Sequence, residues 1–264
     1  MSSTTWTPLA VSSEARDWRG LIWRVVEAQH VASTMKIVDD AAEQEVLESL
    51  LEASKPVLPD ATDGLDYLLA TPFRYPPAAH GSCFRSVSDP GVFYGAATVR
   101  TACAELGYWR WRFLQDAEDL DRIGPVAHTA FRSEVRTTAV DLRKAPFSTY
   151  AVSWTHPTDY TATQFFARTA RDAGVGAIVY GSVRDPLPSW CLAVLTPNAF
   201  STKRPLPTQQ NWWLAVHPRG VIWRRDHELI AFAMPSPAAE SARSTSTSWS
   251  ETNVGSNLFS KRPR

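Results

Sequence analysis

The order of apolar and polar positions along the 264-residue chain predicts a mixture of strands and helices. The short run from Leu21 to Val26 is apolar and rich in branched side chains, which predicts a strand that carries Arg24. Asp39 or Asp40 then caps a helix that ends at Lys55, because a proline follows at position 56. Its apolar positions, which recur at helical spacing, are Ala42, Val46, Leu47, Leu50 and Leu51.

The central stretch from 71 to 105 predicts a strand that leads directly into a helix. The extended segment that contains Tyr94 ends at Gly95, and Thr98 has the side chain of a helix N-cap. Glu105 follows Thr98 by seven residues and therefore lies about two turns into this helix. Strand ends and first helical turns commonly gather the chemistry of folds that contain sheets, so we interpret this stretch as the floor of a site.

The second half of the chain alternates between strand-like runs and one amphipathic helix. The helix begins after Thr158 or Asp159 and ends at Gly174. The predicted strands cover residues 131–135, 138–140, 150–154, 177–180, 191–195, 212–216, 221–223 and 229–231. These elements predict an α+β fold with a mixed, mostly antiparallel sheet and about four helices.

Composition limits the class of protein and its domain organisation. The apolar fraction of 44% and the 11 tryptophans supply enough large side chains for a core. Residues 1–17 are rich in Ser and Thr and are predicted to be a flexible N-terminus, and 235–264 are predicted to be a disordered tail. One domain at 18–234 remains.

Charge and cysteine usage exclude several partners. Lys plus Arg and Asp plus Glu number 27 each, so no overall basic excess recruits nucleic acid or an anionic membrane. No apolar run approaches the roughly 20 residues of a membrane-spanning helix. Cys83, Cys103 and Cys191 form no CxxC pair and no zinc spacing, which favours free thiols, a cytoplasmic location and no metal.

Several motifs, in order, resemble the RES domain family, whose name refers to a recurring arginine, glutamate and serine. They are IWRVVEAQH at 22–30, PFRYPPAAHGSCF at 72–84, GVFYGA at 91–96, TACAEL at 101–106 and GAIVYGSVRDP at 176–186. The resemblance implies a fold similar to ADP-ribosyltransferase toxins. It also implies NAD as substrate, consumed by hydrolysis or phosphorolysis of the nicotinamide–ribose bond, or, as in some members, by ADP-ribosyl transfer. The expected partner is an Xre-like helix-turn-helix antitoxin.

The same resemblance assigns roles to individual residues. The family glutamate falls on Glu105, which would stabilise an oxocarbenium-like transition state. The family serine falls on Ser182, which would donate a hydrogen bond to the nicotinamide ribose or amide. The family tyrosine falls on Tyr94, which would stack on nicotinamide.

The family arginine, which should hold the NAD pyrophosphate, falls on Cys83. Arg85 is two residues further on, a same-face spacing of about 6.6 Å on an extended segment. Arg24 and Arg74 are the other cations near the motifs and complete the set of candidate NAD-binding residues.

Other readings remain open at this point. Without its arginine, the chain could be a RES-like module that binds a nucleotide or an antitoxin without catalysis. His80 and Cys83 could form a cysteine-nucleophile hydrolase, although a loop cysteine lacks the helix N-terminus that often lowers a catalytic thiol pKa. The aromatic and basic run at 108–112 could stack on single-stranded nucleic acid, but its two tryptophans cannot share one helix face, which favours packing.

Overall fold

The computed structural model describes residues 6–28, 37–77 and 81–235. In these ranges the chain forms six α-helices and eight strands. In order they are α1 (Pro8–Glu14), β1 (Arg16–Glu27), α2 (Ala41–Ser54), α3 (Tyr67–Arg74), β2 (Phe93–Ala96), α4 (Val99–Asp116), β3 (Ile123–Asp141), α5 (Ala151–Trp154), α6 (Thr161–Asp172), β4 (Ala177–Gly181), β5 (Trp190–Val194), β6 (Gln209–His217), β7 (Gly220–Arg225) and β8 (Glu228–Ala233).

The eight strands form one sheet in the order β1-β2-β5-β4-β3-β6-β7-β8. Among the described strands every pairing is antiparallel except that of β3 with β4. β1 also pairs with β3 along its whole length, so β1, β2, β5, β4 and β3 close into a ring. The predicted α+β class with a mixed, mostly antiparallel sheet is therefore confirmed.

Alternate residues of the ring strands pack into two separate hydrophobic cores, because successive side chains of a strand point to opposite faces of the sheet. On β4, Ala177 and Val179 join one cluster, which includes Phe93 and Phe131. Ile178 and the other residues of opposite parity join a larger cluster with α4, α6 and strands β6 to β8. The ring is thus buried on both faces, and α4 lies against one of them.

The helix α4 begins at the predicted cap. Thr98 accepts a hydrogen bond from Thr101 N at 3.1 Å, and the helix then runs for 18 residues. Trp111 is fully buried, while Trp109 is 40% exposed. The two tryptophans therefore point in different directions, as the packing interpretation of the 108–112 run requires.

Two strand predictions in the second half differ from the structure. The runs at 131–135 and 138–140 are parts of the single long strand β3. Residues 150–154, predicted as a strand from their branched and aromatic side chains, instead form a helical turn that includes α5. Trp154 packs on Phe166 of α6 and donates to Phe147 O at 2.8 Å, so tertiary packing overrides the strand propensity here.

The predicted flexible N-terminus is ordered from Trp6 onward. The ring of Trp6 packs against Phe147 at 4.7 Å between centroids, and α1 buries Val11 completely. The helix predicted after Asp40 is present, with that residue as its cap, but none of its side chains is buried. The tail beyond Pro235, predicted to be disordered, and His80 lie outside the described residues.

Candidate functional site

A cavity of about 170 Å³ lies between residues of β1, β2 and α4. Its walls are mostly aromatic and aliphatic, and a few polar side chains converge on it. The lining residues are Trp23, Arg24, Val25, Ser82, Cys83, Tyr94, Gly95, Ala96, Ala102, Glu105, Leu106, Trp109, Tyr180 and Cys191. A concave apolar site with few polar groups is the usual form of a small-molecule site.

β1 and β2 are paired at one point, and residues of both strands at this point line the cavity. Their single paired register joins Trp23 to Ala96. Just before it, Gly95 packs so closely on β1 that a Cβ atom there would lie 2.5 Å from the Cδ1 atom of Ile22. Glycine at this position therefore brings the two strands together at the edge of the cavity.

Glu105 lies on the second turn of α4 and is partly buried in the wall. Burial raises the pKa of its carboxyl above the ordinary value, while hydrogen bonding from Ser182 and the positive charge of Arg184 oppose this rise. The thiol of Cys191 also contacts Glu105 Oε1, at 3.7 Å. The predicted helical position holds, and the side chain faces the cavity rather than bulk water.

Ser182 begins the loop between β4 and β5 and contacts Glu105, although Ser182 is not one of the residues that line the cavity. Its Oγ donates to Glu105 Oε1 at 2.6 Å. The same oxygen accepts from the backbone N–H groups of Arg184 and Asp185 at 3.3 and 3.2 Å. Because those two donors occupy its lone pairs, the hydroxyl proton is directed at the carboxylate.

Tyr94 closes the cavity opposite a tight turn. Its hydroxyl oxygen accepts from Phe84 N at 3.0 Å and shares a hydrogen bond with Ser82 Oγ at 2.7 Å. Burial raises the phenol pKa well above its ordinary value, so the hydroxyl stays protonated. The tyrosine therefore fixes the turn against the strand while its ring lines the cavity.

Cys83 sits at the tip of this turn and lines the cavity. Ser82 N donates to Arg85 O at 2.7 Å and Arg85 N donates to Ser82 O at 3.2 Å, so the chain reverses here instead of running extended. Gly81, with φ of +70°, makes the entry to the turn. Burial, and then the charge of Glu105, raise the pKa of the Cys83 thiol to about 12, which argues against a thiolate nucleophile.

Arg24 is the predicted cation that the fold brings to the cavity. Its Nη1 donates to Tyr94 O at 2.8 Å, and its guanidinium lies 4.6 Å from the centroid of the Phe93 ring. Among the described residues its buried Nε–H has no acceptor. Burial lowers the pKa of Arg24 to about 10, so the group remains charged at neutral pH.

The other two predicted cations point elsewhere. Because the chain turns at Cys83, the side chain of Arg85 points away from the cavity and donates to Asp89 O and Tyr75 O at 3.0 and 2.8 Å. Arg74 ends α3 and pairs with Glu52 of α2 at 2.8 Å. Neither residue lines the cavity, and the same-face spacing inferred for Arg85 does not hold.

Sequence reasoning overlooked several residues of the site. Arg184 stacks 3.4 Å over the Tyr108 ring and donates to Tyr160 OH at 2.9 Å, and its charge acts on both Glu105 and Cys83. Its position two residues after Ser182 was the available signal. Trp109 follows Glu105 by one helical turn, so helical spacing could have identified it as well.

Two kinds of feature are absent from the part of the chain that the structure describes: a membrane-spanning helix and a metal-binding cluster. No helix within 6–28, 37–77 and 81–235 has both the length and the apolarity to cross a membrane. Within the same ranges no group of three or more His, Cys, Asp or Glu side chains is arranged to hold a metal ion.

Comparison with known proteins gives a family and a structural likeness. The family model described as RES domain matches residues 57–217, more than half of the chain. No curated protein matches. A solved structure described as the M. tuberculosis MbcT–MbcA toxin–antitoxin complex is similar at 11% identity and a TM-score of 0.43, over 75% of this chain and 86% of that one. The family match includes Tyr94, Glu105 and Ser182 but begins after Arg24.

Proposed function

The chain belongs to the RES domain family, and we propose that it is a toxin-like enzyme that cleaves the nicotinamide–ribose bond of NAD. One observation carries the proposal: Glu105 lies in the wall of an aromatic cavity with its oxygen held by Ser182 at 2.6 Å. Departure of nicotinamide develops positive charge on the ribose. A carboxylate that is shielded from water stabilises that charge more strongly than a solvated one.

Ser182 acts on the carboxylate rather than on the substrate in this proposal. Its hydroxyl proton is used by Glu105, and its lone pairs are used by two backbone N–H groups. The hydrogen bond favours the ionised form of Glu105 and opposes the rise in pKa that burial causes. Ser182 is therefore a positioning residue that keeps the carboxylate charged and fixed.

The size of the cavity limits which part of NAD can enter it. A cavity of about 150 Å³ holds one benzene molecule, so about 170 Å³ suits the nicotinamide ring and not a dinucleotide. The ring would lie between aromatic walls that include Tyr94 and Trp109. The ribose would meet Glu105, and the rest of the dinucleotide would lie outside the mouth.

Arg24 is the residue that we propose contacts the phosphates. Its buried guanidinium has a free Nε–H among the described residues, and no carboxylate is a principal influence on its pKa. A buried cation that lacks an anionic partner favours an anionic ligand. Since Arg85 and Arg74 are engaged elsewhere and Cys83 replaces the family arginine, we expect weak binding of NAD.

Analysis of the products identifies whether water, phosphate or a protein side chain accepts the ADP-ribosyl group. Purified full-length protein would be incubated with NAD, with and without inorganic phosphate, and nicotinamide and the sugar product would be separated by chromatography. Release of ADP-ribose alone indicates hydrolysis, and a phosphorylated ADP-ribose that requires phosphate indicates phosphorolysis. Labelling of protein would indicate ADP-ribosyl transfer. Absence of nicotinamide release under every condition would contradict the proposal.

A second function is favoured by Cys83 alone. Replacement of the family arginine by a neutral thiol removes a phosphate ligand, which suits a module that binds NAD or an antitoxin without catalysis. Calorimetry separates the two functions. Heat of NAD binding without any release of nicotinamide would favour the module, whereas turnover that is lost in Glu105→Ala would exclude it.

We also propose an antitoxin partner with an Xre-like helix-turn-helix domain, because the resemblance to RES toxins implies one. Expression of the full chain in bacteria, alone and together with a candidate antitoxin, measures this directly. We expect growth arrest that the antitoxin relieves and co-elution of the two purified chains. An antitoxin that neither relieves arrest nor co-elutes would contradict the pairing.

A further inference from the structure

A second contact between the β4–β5 loop and α4 lies one turn from the Ser182–Glu105 contact. Thr101 is four residues before Glu105, so the two side chains share one helix face. Asp185 is three residues after Ser182 on the loop. Thr101 Oγ1 donates to Asp185 Oδ2 at 3.0 Å. We call this contact the second rung and the Ser182–Glu105 contact at 2.6 Å the first rung; the loop and the helix run in opposite sequence directions along the two rungs.

The second rung is buried and its hydrogen bonds are complete. Thr101 has no exposed surface and Asp185 is 8% exposed. The other carboxylate oxygen of Asp185 accepts from Arg100 Nε at 3.2 Å and from Leu187 N at 3.1 Å. The first turn of α4 adds the positive end of the helix dipole, so the carboxylate is stabilised on several sides.

The hydroxyl of Thr101 is fixed as well. Besides its bond to Asp185, it contacts Ser189 Oγ at 2.7 Å and Thr98 Oγ1 at 2.8 Å. A hydroxyl has one proton and two lone pairs, and these three contacts use all of them. The network therefore joins the interior of the loop, through Asp185, and its last residue, Ser189, to a single point on the helix.

We propose that Asp185 is a positioning residue: Thr101 and Arg100 hold Asp185 on α4, and Asp185 in turn holds the Ser182 hydroxyl in position to donate to Glu105. The backbone N–H of Asp185 itself donates to Ser182 Oγ at 3.2 Å. Fixing Asp185 on α4 therefore fixes the donor that orients Ser182, and Ser182 in turn orients Glu105. This inference rests on the proposed NAD cleavage only for its effect on the rate.

The test uses Thr101→Val, which removes the hydroxyl of the second rung but keeps the shape of the side chain. Asp185 keeps Arg100 and Leu187 N, so the loop remains folded. Thr101→Ser restores the hydroxyl. Thr169→Val is the matched control, because Thr169 is also buried on a helix, but among the described residues its hydroxyl bonds to Phe165 O of the same helix, at 3.3 Å, and not to the β4–β5 loop.

Two readouts on the full chain separate positioning from general stability. In Thr101→Val we expect kcat for NAD cleavage to fall about tenfold, which corresponds to about 1.4 kcal/mol, with KM little changed. Amide hydrogen exchange should accelerate in the segment 182–187. Thr101→Ser should behave like the wild type in both respects, and Thr169→Val should lower thermal stability without changing either readout.

The outcomes are distinguishable from failure of the proposed function. If the wild type releases no nicotinamide, NAD cleavage fails, and hydrogen exchange alone then decides whether the rung holds the loop. Unchanged exchange in Thr101→Val would overturn the proposal. So would unchanged kcat in a protein that does turn over NAD, because the rung would then be structural only.

Discussion

Removal of the Ser182 hydroxyl is the change that most directly perturbs the proposed catalytic carboxylate. In Ser182→Ala, Glu105 loses the 2.6 Å hydrogen bond that favours its ionised form. A hydrogen bond to a charged group typically contributes about 1.5–3 kcal/mol. If that interaction is needed in the transition state, kcat falls by about 10- to 100-fold, since about 1.4 kcal/mol is a factor of ten.

The pH dependence of the same variant tests the direction in which the pKa of Glu105 changes. Loss of the hydrogen bond raises the pKa of Glu105 further, so the acid limb of kcat/KM moves to higher pH. Nicotinamide release would be measured across the pH range for the wild type, Ser182→Ala and the hydroxyl-retaining Ser182→Thr. An acid limb that stays in place, with a rate within about twofold of the wild type, would refute the reasoning.

Further predictions concern the cations, the buried carboxylate and the thiol. Arg24→Met should raise the KM for NAD by about tenfold or more, as loss of a charged hydrogen bond implies. Arg74→Met is the control: it breaks a contact with an exposed glutamate outside the cavity and should leave the KM unchanged. Equal KM values for the two variants would contradict the assignment of Arg24 to the phosphates. Glu105 has a folded-state pKa raised by burial, so the wild type loses stability as pH rises through that pKa. Glu105→Gln cannot titrate, and its melting temperature should exceed that of the wild type by an amount that grows with pH; a difference independent of pH would contradict the buried carboxylate. Cys83, with its pKa raised to about 12, should react with iodoacetamide far more slowly at pH 8 than a free thiol of ordinary pKa, and fast alkylation would restore the nucleophile hypothesis. Cys83→Arg should increase NAD turnover if the missing arginine limits phosphate binding. An unchanged rate would show that the residue at position 83 does not limit turnover.

The strand–helix unit of the site was predictable from sequence because its signals are local. A threonine cap and helical spacing placed Glu105 two turns into α4, as the structure has it. The strand before it was predicted to end at Gly95, but β2 continues through Gly95 to Ala96, so Tyr94 lies within the strand and not at its end. The strands at 177–180 and 191–195 were predicted for the same reason, since buried strands read as continuous apolar runs.

Long-range geometry was not accessible in this way. The ring closure depends on the pairing of β1 with β3, and no local pattern encodes that register. The failure of Arg85 to reach the cavity follows from a turn at Cys83, which the extended reading of the segment missed. Asp185 gains its role from a contact with Thr101 of α4 that is distant in sequence, so spacing alone could not reveal it.

The central claim is that Glu105 in this cavity promotes cleavage of NAD. Nicotinamide release by the purified full-length protein, compared between the wild type and Glu105→Gln, tests it most directly. Gln keeps an oxygen that can accept from Ser182, so the fold should persist. Asp116→Asn, at the exposed end of the same helix, is the matched control. We predict release by the wild type and the control and none above background by Glu105→Gln. Equal release by all three proteins would contradict the account.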